Sequence, residues 1–134
     1  MNLLLKTNSP FTIHNSQLNI TGSKSETNRL LLLQALFPNI TLENTSNSDD
    51  SEVMQKALDN SQFTIDNSQL VDIHHAGTAM RFLTAYFAVN DGCEVVLTGS
   101  QRMTERPIKV LVEALQQLGA QISYEKEDRK STRL

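Results

Sequence analysis

The chain has 134 residues, 39% of them hydrophobic, which is enough length and apolar content to bury the core of one ordinary globular domain. Its formal net charge of -3 and its lack of a long Lys/Arg block disfavour nucleic-acid binding, which needs a basic stripe to neutralise phosphates. No apolar run approaches the roughly 20 residues of a membrane span, and the N-terminus lacks the pattern of a signal peptide. The single cysteine, Cys93, leaves no internal disulfide. We therefore expect a cytoplasmic protein that binds neither nucleic acid nor a membrane.

In the first half of the chain, segments of strand character alternate with segments of helical spacing. Alternating or β-branched residues bounded by Asn, Ser and Pro predict strands, and apolar residues three or four apart predict helices. In chain order the predicted elements are strands over residues 3–7 and 11–20, a helix over 25–37, a strand over 40–43, a helix from 48 or 49 to about 60, and a hairpin of 63–65 with 70–73.

The second half of the chain repeats part of this order. The predicted elements are a helix over 77–89, a strand over 95–97, a helix that starts at Pro107 and ends at Gly119, and a strand over 122–124. The stretch Asn28-Arg29-Leu30-Leu31 parallels Met80-Arg81-Phe82-Leu83, which indicates an internal repeat whose second copy lacks its last strand. The pattern predicts an α/β (α+β) fold. Polar and charged residues over 125–134 predict a solvated tail and indicate that the natural domain is cut there.

Three places put a helix start beside a cation, and each can hold an anion. The first is Gly22-Ser23-Lys24-Ser25 with Asn28-Arg29, where Gly22 permits a tight turn, the helix N-terminus offers free N–H groups, and Lys24 adds a mobile charge. Arg29 lies one helical turn after Ser25, so both side chains can face the same ligand. No glycine precedes Gly22, so the spacing of a nucleotide P-loop is absent. A Ser-capped helix with surface Lys24 and Arg29 is the alternative interpretation.

The second place is His74-His75-Ala76-Gly77-Thr78-Ala79-Met80-Arg81. Gly77 lets a ligand approach the backbone closely, and Arg81 lies one turn inside the predicted helix. Two adjacent histidines without a further Cys, His or acid cluster make a poor metal site, so no metal is predicted.

The third place is Gln101-Arg102-Met103-Thr104-Glu105-Arg106-Pro107. Its two arginines flank Glu105 in a predicted loop after a buried strand, where ligand groups of α/β proteins commonly lie. Pro107 restricts Arg106 to an extended conformation, which aims it away from the helix that follows. A solvated charge cluster is the alternative interpretation.

These three motifs, in this order, resemble those of the 5-enolpyruvylshikimate-3-phosphate synthases. The third contributes Leu97-Thr98-Gly99, then Arg102-Met103 and Glu105-Arg106-Pro107-Ile108. The resemblance runs from about Leu3 to Tyr124 and covers the first third of that family's length. It implies transfer of the carboxyvinyl group from phosphoenolpyruvate to the 5-hydroxyl of shikimate 3-phosphate, with release of phosphate, in the pathway to aromatic amino acids. No metal or cofactor is implied.

The resemblance also implies roles for single residues. Lys24 would contact both substrates, Ser25 and Arg29 would hold shikimate 3-phosphate, and the backbone of Gly77 with Arg106 would hold phosphoenolpyruvate. The acidic residues expected to do acid–base work would lie beyond Leu134, so no catalytic residue is assigned in this chain. The full set of candidate substrate-binding residues is Lys24, Ser25, Arg29, Gly77, Thr78, Arg81 and Arg106.

The fold implied by the resemblance has two domains, each of three βαβαββ units arranged as an inside-out barrel, with the active site in the cleft between them. This chain would hold about one and a half units. Residues 1–20 would pack with the other domain, residues 21–124 would form an incomplete substrate-binding domain, and residues 125–134 would be the charged tail. The complete enzyme is expected to be a monomer, and self-association of the 134-residue chain stays open.

Two positions depart from the family's usual pattern. His75 stands where asparagine is usual, which leaves the contacts there open, and Phe82 replaces a proline, which makes the helix more regular. The sister carboxyvinyltransferases that act on UDP-N-acetylglucosamine carry a Gly-Ala-Lys-Asn signature and a reactive loop cysteine, both absent here. A chain that binds the anions without performing chemistry is the other alternative. In this family the herbicide glyphosate occupies the phosphoenolpyruvate site.

Overall fold

The computed structural model describes residues 4, 6, 17–59, 68–90, 92, 94–124 and 131–133. Most of the strands predicted over 3–7 and 11–20, the 63–65 arm of the predicted hairpin, and Cys93 lie outside these residues. In chain order the elements are α1 Lys24–Leu36, α2 Asp49–Asp59, β1 Ser68–Asp72, α3 Gly77–Ala88, β2 Glu94–Thr98, α4 Gln101–Thr104, α5 Lys109–Gln117, β3 Ser123–Tyr124 and β4 Ser131–Arg133.

The strands of the described residues form one mixed sheet in the order β1-β2-β4-β3. β1 and β2 run parallel, with Leu70 opposite Val96, and β4 is antiparallel to both β2 and β3. Parallel neighbours need a crossover connection, and α3 supplies it. The segment that starts α3 therefore follows the carboxyl end of β1, and the segment that carries α4 follows the carboxyl end of β2. Both segments leave the same edge of the sheet, which is the usual position of ligand sites in open α/β sheets.

Two clusters of buried apolar side chains hold the elements together. The larger joins α1, α2 and α3 to β1 and β2, and the smaller joins α5 to the chain just before β3. The larger cluster includes Leu31, Met54, Ile73, Leu83, Phe87, Val95 and Leu97, and the smaller is formed by Val112, Leu115 and Ile122. Helical spacing of the apolar residues on one face of each helix and alternation along β2 produce this arrangement.

Helix ends coincide with residues suited to them. Ser23 accepts a hydrogen bond from the backbone N–H of Glu26 at 3.5 Å and starts α1. The Ser48 hydroxyl accepts one from the N–H of Ser51 at 3.4 Å at the start of α2. After α5, Gly119 has a φ of 102°, a left-handed conformation that glycine adopts without strain.

The sequence prediction was right for the longer helices and wrong for two strands. Helices α1 and α3 and strand β2 lie where they were expected. Residues 17–20 and 40–43 were predicted as strands, but they pair with no strand of the described residues. Ile40 shows the reason, because its backbone is used by the end of α1: its N–H donates to Phe37 O at 3.0 Å and its carbonyl accepts from Gln34 Nε2 at 2.9 Å.

The chain from residue 68 onward differs from the prediction at three places. Pro107 lies before α5 rather than in its first turn, since the helix begins at Lys109 after Ile108. Helix α4 was missed because four residues are too short to show a periodic pattern. Ser68 was assigned to the hairpin turn but belongs to β1.

The end of the chain also differs from its prediction as a solvated tail. Ser131–Arg133 forms β4, which lies between β2 and β3 in the sheet. Strand pairing satisfies backbone N–H and C=O groups and does not require apolar side chains, so a polar composition was a poor guide here.

The core gives a direct stability test at Leu83, which is fully buried on α3. We expect Leu83→Ala to lower the free energy of unfolding by about 2–5 kcal/mol, because it removes buried apolar contacts and leaves a cavity. Its matched control is Leu118→Ala, at a side chain that is 85% exposed, which should change that free energy by less than about 0.5 kcal/mol. Urea denaturation followed by circular dichroism measures both, and equal effects would contradict this core.

Candidate anion-binding site

The first motif lies on the first turns of α1 and is open to solvent. Lys24, Ser25 and Arg29 are exposed. Nη1 of Arg29 donates to the carbonyl oxygen of Ser25 at 2.6 Å and to its hydroxyl at 2.5 Å. The predicted proximity of these two residues, one turn apart, is confirmed. The guanidinium is thereby held beside the start of the helix.

Buried polar side chains fix α1 against the start of α2. Asn28 is fully buried, and its Oδ1 accepts a hydrogen bond from the Ser51 hydroxyl at 2.8 Å. The Ser51 and Ser48 hydroxyls lie 3.0 Å apart and share a further hydrogen bond. Because buried polar groups are costly without partners, these bonds set where the first turn of α2 lies relative to α1.

As a result, Lys24 meets a carboxylate of α2. Its Nζ lies 3.6 Å from Oδ2 of Asp50, with the side chains 52% and 17% exposed. Ion pairs at such exposure contribute little to stability, so Lys24 stays available to a dissolved anion.

The second and third motifs are in direct contact across Gly77. The Arg106 guanidinium lies so close to the Gly77 backbone that a Cβ there would overlap its Nη1. Arg81 Nη1 donates to Gly77 O at 3.0 Å, and its Nη2 donates to Pro107 O at 3.4 Å. Gly77 is buried, whereas both arginines are exposed, and Thr78 beside them is half-buried. Two cations therefore flank the first residue of α3.

The backbone before α3 ties these two motifs together. The N–H of Ser100 donates to the carbonyl oxygen of His74 at 2.7 Å, and a Cβ at Gly99 would stand 2.7 Å from the same oxygen. His74 itself has a φ of 50°, which turns the chain toward α3. Met103 of α4 is 4% exposed and anchors the third motif in the core. The third motif is therefore packed against the core through Met103, and its two arginines face solvent.

Helix α3 begins without a side-chain cap. Ala76 occupies the N-cap position and has no polar side-chain atom to accept a hydrogen bond. The N–H of Gly77 bonds to His75 O at 3.0 Å, but the first N–H groups of a helix have no intrahelical partner and carry partial positive charge. With Arg81 and Arg106 beside this helix end, a carboxylate or phosphate is the complementary ligand.

A contact between α1 and α3 connects the first motif to the second. Cζ of Arg29 lies 5.6 Å from the centroid of the Phe82 ring, which is within cation–π range. Phe82 follows Arg81 in the chain and is half-buried against the core. From the sequence, Phe82 is expected only to make the helix more regular, because a contact between distant segments leaves no local pattern.

A cavity of about 230 Å³ opens between α2 and the segment before α3. It is lined by Asp49, Asp50, Glu52, Val53, Lys56, Ile73, His74, His75 and Ala76. Of its lining residues, Asp50 pairs with Lys24 and Ala76 precedes Gly77 in the chain. None of the seven candidate substrate-binding residues lines the cavity. Its three carboxylates disfavour an anion, so the candidate anion-binding groups are the exposed arginines outside it, Arg29 on α1 and Arg81 with Arg106 at Gly77.

Other kinds of site find no support in the part of the chain that the structure describes. Among these residues, no three His, Cys, Asp or Glu side chains are grouped to hold a metal ion. No helix there has the length and apolar character to cross a bilayer.

The pKa of Tyr124 on β3 is raised, first by partial burial and then by the negative charge of Glu113, while Lys109 opposes the shift. Tyr124 belongs to none of the three motifs.

Comparison with known proteins gives one family. Residues 39–132 match the family model of EPSP synthase (3-phosphoshikimate 1-carboxyvinyltransferase). The 3-phosphoshikimate 1-carboxyvinyltransferase of Bacteroides fragilis strain YCH46 is 45% identical over 106 residues, which is 78% of this chain. The relatives of the same name from Vibrio vulnificus and Buchnera aphidicola are 41% and 38% identical and cover 82% and 89% of this chain. The Buchnera alignment leaves out only about a tenth of the chain and so includes the first motif.

The chain spans a minor part of each relative. It covers 24% of the Bacteroides fragilis protein, 30% of the Vibrio vulnificus protein and 33% of the Buchnera aphidicola protein. The match to the family model ends at residue 132 and thus takes in most of β4, within the segment that composition alone assigned to a tail.

Gly22 and Gly77 provide a matched pair of substitutions. A Cβ at Gly22 would overlap the carbonyl oxygen of Asn44, a backbone atom, whereas a Cβ at Gly77 meets the tip of the flexible Arg106 side chain. We expect Gly22→Ala to lower the free energy of unfolding by about 1–3 kcal/mol and Gly77→Ala by less than about 1 kcal/mol. Urea denaturation of both variants measures this difference. A larger loss for Gly77→Ala would contradict the described contacts.

Proposed function

This chain belongs to the EPSP synthase family, and we propose that it supplies substrate-binding residues for carboxyvinyl transfer. The reaction transfers the enolpyruvyl group of phosphoenolpyruvate to the 5-hydroxyl of shikimate 3-phosphate and releases phosphate, a step toward aromatic amino acids. Both substrates are small anions that carry a phosphate and a carboxylate. Their negative charge is complementary to the exposed arginines described above.

The observation that carries this proposal is the meeting of Arg106 and Arg81 at Gly77. A buried glycine backbone, two exposed guanidinium groups and an uncapped helix start occur together at one edge of the sheet. Guanidinium groups bind carboxylate and phosphate in bidentate geometry, and backbone N–H groups at a helix start add further donors. We assign phosphoenolpyruvate to this place, with Thr78 next to it.

Shikimate 3-phosphate is assigned to the first motif. Arg29 and Ser25 are already joined by hydrogen bonds and both face solvent. Lys24 lies one residue before Ser25 at the same helix start, where a mobile ammonium group can reach both substrates. The phosphate of shikimate 3-phosphate would meet Ser25 and Arg29.

In the proposed mechanism these residues bind and orient the substrates, and none of them transfers a proton. The 5-hydroxyl loses its proton as its oxygen adds to C2 of phosphoenolpyruvate, and C3 gains a proton. The tetrahedral adduct then collapses as the C2–O bond to phosphate breaks and C3 loses a proton, which restores the double bond. Cations held in place around two neighbouring anions offset their repulsion and stabilise charge that develops during addition and elimination. No acid–base residue is assigned within this chain, and no metal or cofactor takes part.

The finer fold assignment is also part of the proposal. We propose that residues 21–124 hold about one and a half βαβαββ units of an inside-out barrel and that residues 1–20 pack with a second domain. The same hydrogen bond on α1 and on α3 supports a repeated unit. Arg29 donates to Ser25 O and Arg81 donates to Gly77 O, in each case to the carbonyl oxygen of the residue four positions earlier.

The alternative is a chain that binds these anions without turnover. A chimera decides between the two, in which this chain replaces the aligned segment of the Buchnera aphidicola relative, whose alignment includes the first motif. Phosphate release from phosphoenolpyruvate that requires shikimate 3-phosphate is the expected result, with the unaltered relative as the control. A folded chimera without this activity would contradict the proposed function. Turnover by the 134-residue chain alone would exclude the binding-only alternative outright.

In the active chimera, we expect Lys24→Ala and Arg106→Ala each to lower turnover by at least about tenfold. That factor corresponds to a loss of roughly 1.4 kcal/mol of transition-state stabilisation. Steady-state assays of phosphate release measure it. The control is Lys109→Ala, at an exposed side chain on α5 whose Nζ lies 3.4 Å from Glu113. Wild-type rates in both site variants would refute the assignment.

A further inference from the structure

Within the part of the chain that the structure describes, the contacts of Arg29 leave most of its hydrogen-bond donors open. Its Nη1 makes both bonds to Ser25, at 2.6 Å and 2.5 Å. The other contact is the Phe82 ring, 5.6 Å from Cζ. A ring face attracts a cation without accepting an N–H from the guanidinium edge and without neutralising its charge. The donors on Nε and Nη2 can therefore still serve an anionic ligand.

The neighbouring cations are held in a different way. Lys24 faces the carboxylate of Asp50 at 3.6 Å, which offsets its charge. Arg81 uses both of its terminal nitrogens on the carbonyl oxygens of Gly77 and Pro107. The Arg29 guanidinium is thus held at its face by the Phe82 ring and at Nη1 by Ser25. Its Nε and Nη2 donors remain available along one edge, which suits a bidentate contact with phosphate.

The ring of Phe82 is a stable support for this contact. It packs against the core cluster that joins α1, α2 and α3, so it cannot turn freely. Arg81 and Phe82 are consecutive on α3 and point about 100° apart around the helix axis. Arg81 contacts Pro107 on one side of α3, and Phe82 contacts α1 on another. The orientation of Arg29 therefore depends on α3, the same helix that carries Gly77.

We propose that Phe82 is a positioning residue for substrate binding. Its ring fixes the Arg29 guanidinium in the orientation that receives the phosphate monoester of the substrate, and so it sets the affinity for that substrate. The identity of the substrate as shikimate 3-phosphate rests on the proposed function, whereas the contact itself does not.

Two replacements at position 82 test the ring directly in the active chimera. Phe82→Leu removes the ring, and pentafluorophenylalanine at the same position keeps its shape but reverses the charge distribution of its face. We expect each to raise the KM for shikimate 3-phosphate by about two- to fivefold, the effect of losing one exposed cation–π contact. The KM for phosphoenolpyruvate should not change. Phe82→Tyr, which keeps an electron-rich face, should behave as wild type.

A double-substitution cycle separates positioning from a merely structural effect. In an Arg29→Ala background, Phe82→Leu should cause no further rise in the KM for shikimate 3-phosphate, because the group it positions is gone. An equal rise in both backgrounds would overturn the inference. So would an unchanged KM with pentafluorophenylalanine, a variant that preserves the packing and is therefore expected to fold.

A measurement on the 134-residue chain keeps this inference distinct from the proposed function. The δ-methylene protons of Arg29 should show a ring-current shift in NMR spectra that is lost in Phe82→Leu and retained in Phe82→Tyr. Absence of that shift in the unaltered chain would refute the contact, whatever the activity of the chimera. An inactive but folded chimera would refute the proposed function and with it the assignment of the substrate, while the NMR result would still decide the contact.

Discussion

The missing side chain at Gly77 is the constraint on which the candidate site depends. Parallel pairing of β1 and β2 brings the segments before α3 and around α4 to one edge of the sheet. That pairing alone would leave two arginine-bearing segments merely near each other. They touch because the Arg106 guanidinium occupies the space that a Cβ of residue 77 would fill. A second glycine, Gly99, permits a similar close approach between the third motif and the segment before α3, because it lies against the carbonyl oxygen of His74.

The parts of the fold that follow from local geometry could be predicted, and those that depend on distant pairing could not. Helices α1, α2 and α3 show apolar residues at helical spacing, and serines cap α1 and α2, which are local signals. Residues 40–43 carry a strand-like composition, but the backbone of Ile40 is already bonded to the end of α1. The position of β4 between β2 and β3 depends on partners far away in the chain, which composition does not reveal.

In the candidate site, too, the local contacts could be predicted and the contacts between distant segments could not. The proximity of Arg29 to Ser25 and of Arg81 to Gly77 follows from four-residue spacing on a helix, and the structure has both. The alternative interpretation of the first motif is also present, because Ser23 caps α1 while Lys24 and Arg29 remain exposed. A capped helix and an anion-binding surface are compatible here. Only three-dimensional packing could show that Phe82 lies under Arg29.

The pair of Lys24 with Asp50 gives the lysine a resident counter-charge. Asp50 lies in the first turn of α2, where the helix dipole stabilises a negative charge even without a lysine. Lys24 can therefore leave Asp50 for a dissolved anion at small cost. Because Asp50 and any dissolved anion compete for the same ammonium group, dissolved salt should weaken both ion pairs together.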